Sequence, residues 1–188
     1  MGRPVPILTA FLLYALCFAQ PCAAEEERLK VEGPTELQEF LATYRCAVAE
    51  RLAIIHANRD REMDRFLIIA LKFVPENYVQ CLFLDGDRRM LCEASSGFYA
   101  QLPGENQHYR VSAEGLAALA RLGFSTDGNE GNFQRIVAFS GDPDLESVAT
   151  LILSTLYEVY GVRLGSQLEW KSPLAHIDRY NSVCVPIG

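Results

Sequence analysis

The sequence predicts an α+β domain in which helices pack on one face of an antiparallel sheet. Apolar residues recur at helical spacing in residues 35–55, 113–122 and 143–160. Short runs rich in β-branched and aromatic residues occupy 66–74, 78–84, 89–94 and 133–140. Only turns separate the first three runs, which indicates a three-stranded meander with at least one further strand.

The composition and the net charge exclude some classes of binding partner. The chain has 188 residues, 49% hydrophobic and 22% charged, which is the size and composition of one globular domain. Its 17 Lys and Arg against 24 Asp and Glu give a net charge of −7. That balance disfavours nucleic-acid partners, which require a basic surface, and disfavours adsorption to anionic lipid.

Residues 1–24 have the pattern of a secretory signal peptide. Arg3 precedes an uncharged apolar run at 7–18, and small residues lead to Ala24, after which we expect cleavage. The alternatives are an uncleaved anchor, although the run is shorter than the ~20 residues of a membrane span, and a lipoprotein attached at Cys22. We expect a periplasmic or extracellular protein without stable membrane insertion after cleavage. Residues 25–34 are then a linker, 35–168 the domain and 169–188 a tail.

The first helix is predicted to begin with a capping box formed by Thr35 and Gln38. One side carries an apolar stripe, and the opposite side carries small residues. The stripe is Leu37, Phe40, Leu41, Tyr44, Val48, Leu52 and Ile55, and the small residues are Ala42, Cys46, Ala49 and Ala53. Either a second neighbour covers the small residues, or they are good helix formers facing solvent.

The register of the second hairpin follows from its turn. Pro75-Glu76-Asn77 is predicted to connect the first two strands, and Asp85-Gly86-Asp87-Arg88 the next two. If the second turn is the whole loop, Leu84 opposes Arg89 and Cys81 opposes Cys92. Opposed residues have Cα atoms about 4.5–5.5 Å apart, which is within disulfide reach.

We therefore predict a Cys81–Cys92 disulfide. Cleavage after Ala24 leaves four cysteines, and an even number in an exported chain indicates two bridges. By elimination the second bridge is Cys46–Cys184, which would strap the C-terminal tail over the first helix.

The same register sorts the meander into two faces. One face is almost purely apolar and is expected to lie under the helices: Ile69, Leu71, Phe73, Val79, Cys81, Phe83, Met90, Cys92 and Ala94. The other face includes Ala70 and is mixed. Its predicted partner-binding residues are Ile68, Lys72, Gln80, Leu82, Leu84, Leu91 and Glu93. The C-terminal segment or a second copy of the chain could cover this face instead.

The remaining segments complete the order of elements. Residues 95–110 are irregular, Ser112 caps a short helix that ends at Gly123, and residues 126–132 form a turn without the ligand spacing of a calcium loop. Asp142 is predicted to cap the last helix, with Pro143 at its first position and Gly161 at its end. The tail after it contains Trp170 and could hold a short strand.

Several segments, taken together, resemble the bacterial YbjN-like, type III secretion chaperone-like family. These are Phe66-Leu67-Ile68-Ile69, Tyr78-Val79-Gln80, Glu93-Ala94-Ser95-Ser96, Leu119-Ala120-Arg121-Leu122-Gly123-Phe124, Asn132-Phe133 and Leu156-Tyr157-Glu158-Val159-Tyr160-Gly161-Val162. The resemblance covers residues 35–168 and implies an α+β fold with helices on one side of an antiparallel sheet. It also implies dimerisation and the holding of partner polypeptides in extended form. Predicted export and disulfides distinguish this chain from cytosolic secretion chaperones.

The sequence contains little that indicates catalysis. It lacks the G-x-S-x-G, H-E-x-x-H and G-x-x-x-x-G-K motifs, and its cysteines and histidines lack zinc-site spacing. Asp85 and Asp87 are expected to be solvated turn residues, and His56 to interact favourably with the dipole at its helix end. We expect no cofactor and no metal.

The sequence therefore predicts a non-enzymatic protein that binds another polypeptide on the mixed face or on the exposed edge of the meander. One alternative is a hydrolase assembled around His108 or His176, or a redox enzyme using Cys81 and Cys92. Another is a purely structural homodimer.

Overall fold

The computed structural model describes residues 35–59, 64–99, 111–127, 131–174 and Cys184. Three helices and five strands lie within these residues. They are α1 Glu36–Ala57, β1 Phe66–Leu71, β2 Val74–Leu84, β3 Arg89–Ala94, α2 Ala113–Arg121, β4 Phe133–Ala138, α3 Leu145–Tyr160 and β5 Leu168–Lys171. The predicted signal peptide, the linker, His108 and His176 lie outside the described residues.

The strands form one antiparallel sheet in the order β4-β3-β2-β1-β5. Helices α1 and α3 pack against each other and against the same face of this sheet, and α2 packs against α3. The fully buried side chains lie between these layers, for example Leu52 of α1, Ile69 of β1 and Leu156 of α3. The predicted α+β class with helices on one face is confirmed. Among the helices that the structure describes, none has the length and apolar character to cross a bilayer.

Helix α1 begins with the predicted capping box. The Gln38 backbone N–H donates to the Thr35 hydroxyl at 3.3 Å, and the Thr35 backbone N–H donates to the Gln38 side-chain oxygen at 2.9 Å. Four residues of the apolar stripe are fully buried: Phe40, Val48, Leu52 and Ile55. On the opposite side Ala42, Cys46 and Ala53 are exposed and Ala49 is buried, so most of the small residues face solvent.

The predicted turn between the first two strands is wrong by three residues. Leu71 pairs with Val74, so the turn contains Lys72 and Phe73 and leaves the Phe73 ring 76% exposed instead of in the core. The turn-forming sequence Pro75-Glu76-Asn77 lies instead inside β2.

A bulge accounts for this position. The β1–β2 register shifts between Ala70, which pairs with Tyr78, and Leu71. Residues 75–77 have no ladder partner there, so the missing N–H of Pro75 costs no sheet hydrogen bond.

The second hairpin has the predicted register. Leu84 pairs with Arg89, and Cys81 pairs with Cys92. The turn between them needs a left-handed backbone at Asp85, Gly86 and Asp87, with φ of 52°, 60° and 73°. Aspartate and glycine are the residue types that accept this conformation most readily, which explains why the turn signal was reliable.

Helix α3 is capped by Asp144, two residues later than predicted. The Asp144 carboxylate accepts hydrogen bonds from the Ser147 backbone N–H at 3.0 Å and the Ser147 hydroxyl at 2.6 Å. Asp142 and Pro143 therefore precede the helix. The predicted end at Gly161 is correct, with φ of 68° in the left-handed region.

The cap predicts a pH-dependent contribution to stability. The hydrogen bonds from the Ser147 side chain and backbone hold the pKa of Asp144 below its usual value. A carboxyl whose pKa is lower in the folded state stabilises the fold above its unfolded pKa, and this contribution disappears as pH falls through the folded pKa. We expect Asp144→Ala to lower the urea unfolding midpoint at pH 7 more than at about pH 2. Asp142→Ala is the matched control, and an equal loss from both variants would contradict the assignment.

Strand β5 contains Trp170 and confirms the short strand anticipated in the tail. It pairs with β1, where Ile69 opposes Trp170 on the helix-covered face. The Arg51 guanidinium of α1 lies 4.2 Å from the centroid of the Trp170 ring. Because β5 lies at the edge of the sheet, its residues extend the mixed face and do not cover it.

Candidate partner-binding face

The face of the sheet opposite the helices is called the open face. Four large apolar side chains form a line across it, one from each of four neighbouring strands. They are Phe66, Leu82, Leu91 and Ile136, which pair in this order through the strand registers. We call them the apolar row.

The apolar row lies outside the packed core of the domain. Ile136 is 49% exposed, and the other three are partly exposed. Side chains of this kind lose contact with water only when something binds over them, which is worth roughly 25 cal/mol per Å² of apolar surface.

A second line of residues runs beside the apolar row. We call it the polar row, because all of its members except Ile68 are polar or charged: Lys171, Ile68, Gln80, Glu93 and Gln134. The Glu93 carboxylate accepts a hydrogen bond on each oxygen. Gln134 Nε2 donates to Oε1 at 2.9 Å, and Gln80 Nε2 donates to Oε2. These two amides hold the carboxylate in one orientation on the open face.

Two ion pairs lie at the ends of the open face. Arg89 pairs with Asp85 near the hairpin tip, and Lys171 Nζ lies 3.4 Å from Glu169 Oε2 on β5. All four side chains are well exposed, so the pairs contribute little stability. The two charges of each pair neutralise each other. The charged side chain in the middle of the open face is Glu93.

The structure places six of the seven predicted partner residues on strands of the open face: Ile68, Gln80, Leu82, Leu84, Leu91 and Glu93. Lys72 lies in the β1–β2 turn, with its Nζ 5.6 Å from the Phe73 ring centroid. Sequence reasoning missed Phe66 and Ile136. Phe66 opposes Leu82, a pairing that depends on the β1–β2 register, and nothing local to β4 showed that it pairs with β3.

The predicted exposed edge of the meander is also wrong. Strand β4 covers the free side of β3, and β5 covers the free side of β1. A partner strand could therefore reach the sheet only beside β4 or β5. Part of the β4 edge is already used, because the Ser125 N–H donates to the Gln134 carbonyl at 2.7 Å.

Asp87 is buried at the hairpin tip and is not the solvated residue that the turn predicted. It is 6% exposed. Its carboxylate lies 2.5 Å from Arg65 Nη2, 3.2 Å from Arg59 Nε and 3.4 Å from His56 Nε2. By contrast, the Asp85 side chain is 41% exposed, so the two carboxyls do not form an acid–base pair.

The Asp87 cluster connects three elements. Arg65 precedes β1 and also donates to the last carbonyls of α1, to His56 O at 3.2 Å and to Ile55 O at 3.5 Å. The Arg65 guanidinium lies 4.9 Å from the Phe83 ring centroid. The cluster therefore joins the end of α1 and the start of β1 to the β2–β3 turn, which is a structural role.

The four predicted disulfide cysteines lie in two pairs at bonding distance. The Cα atoms are 4.1 Å apart in Cys81–Cys92 and 5.8 Å apart in Cys46–Cys184. Both pairs are compatible with the predicted bridges. Cys81 and Cys92 are fully buried, which favours a structural bridge because thiol–disulfide exchange requires access to the sulfur.

A shallow pocket of about 380 Å³ lies on the helical side of the domain and is lined by Glu36, Glu39, Tyr157, Arg163 and Leu164. The Tyr157 hydroxyl lies 3.2 Å from Glu36, and Arg163 lies 3.8 Å from the centroid of its ring. Desolvation raises the pKa of Tyr157 above its usual value, while Arg163 opposes that shift.

Within the part of the chain that the structure describes, no group of three or more His, Cys, Asp and Glu side chains is placed to hold a metal ion.

Comparison with known proteins identifies one family. Residues 35–173 match the family model TY-Chap3, described as "T3SS (YopN, CesT) and YbjN peptide-binding chaperone 3". The match begins at the α1 cap and ends just beyond β5, so it includes every described helix and strand. Neither the curated proteins nor the solved structures yielded a significant match.

Proposed function

Because this chain belongs to the TY-Chap3 family of peptide-binding chaperones, we propose that it is an exported, non-enzymatic protein that holds an extended stretch of a partner polypeptide on its open face. The family supplies the general capacity for peptide binding. The open face supplies the surface, and the partner is a protein or peptide rather than a nucleic acid or a lipid.

The apolar row carries this proposal. Leu82 and Leu91 lie at its centre, directly opposite each other on β2 and β3, with Phe66 and Ile136 on either side. A line of four side chains on adjacent strands spans about 14 Å, given a strand spacing of about 4.8 Å. That width accommodates the apolar side chain of an extended partner that runs along the strands, and such a small interface fits weak, reversible capture.

Two features support export. Residues 1–24 have the charged start, apolar centre and small-residue end of a signal peptide. The four cysteines that remain after cleavage lie in two pairs at bonding distance, and such bridges persist in oxidising compartments. The proposed location is the periplasm or the extracellular space.

The proposal predicts that Leu91→Glu weakens peptide binding by at least about tenfold, because the carboxylate would have to be desolvated against the partner's apolar side chain. The probe is a bead-displayed library of eight-residue peptides with leucine at position 4, threonine at positions 3 and 5, and the other positions randomised. Peptides selected by the wild-type protein are then titrated by fluorescence anisotropy.

Leu116→Glu is the matched control, because Leu116 is an exposed leucine on α2, away from the open face. It should bind the selected peptides as the wild type does. Failure of the wild type to select any peptide would overturn the proposal, as would equal losses in both variants. Sedimentation provides a further check, since a wild-type dimer that Leu91→Glu dissociates would assign the face to a second copy of the chain.

A further inference from the structure

We propose that the polypeptide held on the open face carries a lysine or arginine two residues from its apolar anchor, and that Glu93 binds this basic side chain. The inference rests on the proposed function, since it concerns the same face. In this proposal Glu93 determines which partner segments are selected, and the apolar row supplies most of the binding affinity.

The Glu93 carboxylate is oriented by its neighbours and keeps unused acceptor positions. Each of its oxygens accepts one amide hydrogen bond, from Gln80 and from Gln134. A carboxylate offers about four acceptor positions, so roughly two remain for another donor. The two glutamines hold the oxygens in place, and an incoming cation therefore meets an acceptor that is already oriented.

Glu93 differs from the paired acids of the open face in its charge environment. Two other acids of the open face, Asp85 and Glu169, have basic partners in Arg89 and Lys171. Glu76 lies at the start of β2, at the end of the face beside the β1–β2 turn. Among the described residues, no Lys, Arg or His nitrogen lies within 4.0 Å of the Glu93 carboxylate. Glu93 is thus the acid in the middle of the face whose charge a partner can complement.

The spacing of Leu91 and Glu93 along β3 matches the side-chain repeat of an extended peptide. Leu91 and Glu93 belong to the same strand and lie two residues apart on the same face, a separation of about 6.7 Å. An extended partner has the same repeat between alternate side chains. If its apolar residue lies over Leu91, the residue two positions away lies over Glu93. The pattern is therefore an apolar residue, any residue, then lysine or arginine, in either chain direction.

The peptide library described above tests this pattern, because positions 2 and 6 share a face with the fixed leucine in an extended peptide. Wild-type protein should enrich lysine and arginine at position 2 or 6. For a selected peptide, replacing that basic residue with glutamine should weaken binding about fivefold, which is the upper range for a partly exposed ion pair. The loss should shrink at high salt.

Glu93→Gln is the diagnostic variant. It keeps the size of the side chain and one acceptor oxygen but removes the charge, so we expect the basic and glutamine forms of the peptide to bind it equally. Glu169→Gln is the control, because that residue is on the same face and already paired with Lys171, and it should retain the fivefold preference.

The outcomes separate this inference from the proposed function. If Glu93→Gln selects the same basic residues as the wild type, the role of Glu93 is wrong, while the loss caused by Leu91→Glu still supports binding on the face. If the wild type selects peptides without basic enrichment, Glu93 is also not the selecting residue. If the wild type selects no peptides, the proposed function itself fails.

Discussion

Asp87→Asn is expected to lower the free energy of unfolding by about 3 kcal/mol, because it leaves the buried Arg65 guanidinium without its counter-charge. Both side chains are almost completely buried, and their closest atoms are 2.5 Å apart. Asparagine accepts the left-handed backbone that this position requires, so the substitution removes the charge with little backbone strain. Urea unfolding followed by circular dichroism measures the change.

Asp85→Asn is the matched control in the same turn. Its carboxylate is exposed and pairs only at the surface with Arg89, so we expect a loss below about 1 kcal/mol. In a double-mutant cycle, Arg65→Met combined with Asp87→Asn should cost less than the sum of the two single changes, since the pair is then removed together. Strict additivity would show that the two residues do not stabilise each other.

Removing the Cys46–Cys184 bridge is expected to cost about 5 kcal/mol, compared with about 3 kcal/mol for Cys81–Cys92, by the loop-entropy estimate. The difference arises because the first bridge closes a sequence separation of 138 residues and the second one of 11. The variant is Cys46→Ala with Cys184→Ala, which leaves no free thiol. Cys46 is exposed, so lost packing in this variant is confined to the buried Cys184 side chain.

Two measurements check this prediction. Peptide mapping without reductant, on protein recovered from the native envelope, should find the Cys46 and Cys184 peptides linked, and those of Cys81 and Cys92 linked. Urea unfolding then compares the double variant with the wild type. Free thiols at these positions, or a double variant as stable as the wild type, would contradict the expectation.

Turns, helix caps and the burial of alternate side chains could be predicted from the sequence, because each of them depends on residues that are close together in the chain. The turn at Asp85 and Gly86 set the β2–β3 register, and the capping box at Thr35 set the start of α1. The apolar stripe of α1 showed which side of that helix is buried. The alternation of side chains between the two faces of β2 and β3 then showed which of their residues lie in the core and which lie on the open face. For the same reason, most of the candidate binding residues could be placed before the structure was known.

Features that depend on distant segments could not be predicted in this way. Pro75 and Asn77 have strong turn propensity, yet a bulge places them inside β2. Asp87 has the local pattern of an exposed turn residue and is buried because Arg65 and the end of α1 fold over it. Ile136 joined the apolar row only through the pairing of β4 with β3.

The position of β5 beside β1 has a consequence for how the protein matures. Strands β1 to β3 are neighbours in sequence and need only short loops to pair. The other neighbour of β1 is β5, which follows every other strand in sequence, so this pairing forms only after β5 has been synthesised. If the chain is exported as proposed, a polypeptide that emerges from a translocon amino end first presents an incomplete sheet until β5 arrives. Cys184 follows Cys46 by 138 residues, so formation of the proposed bridge would require a delay in oxidation, or an isomerase that repairs premature pairing of Cys46 with another cysteine.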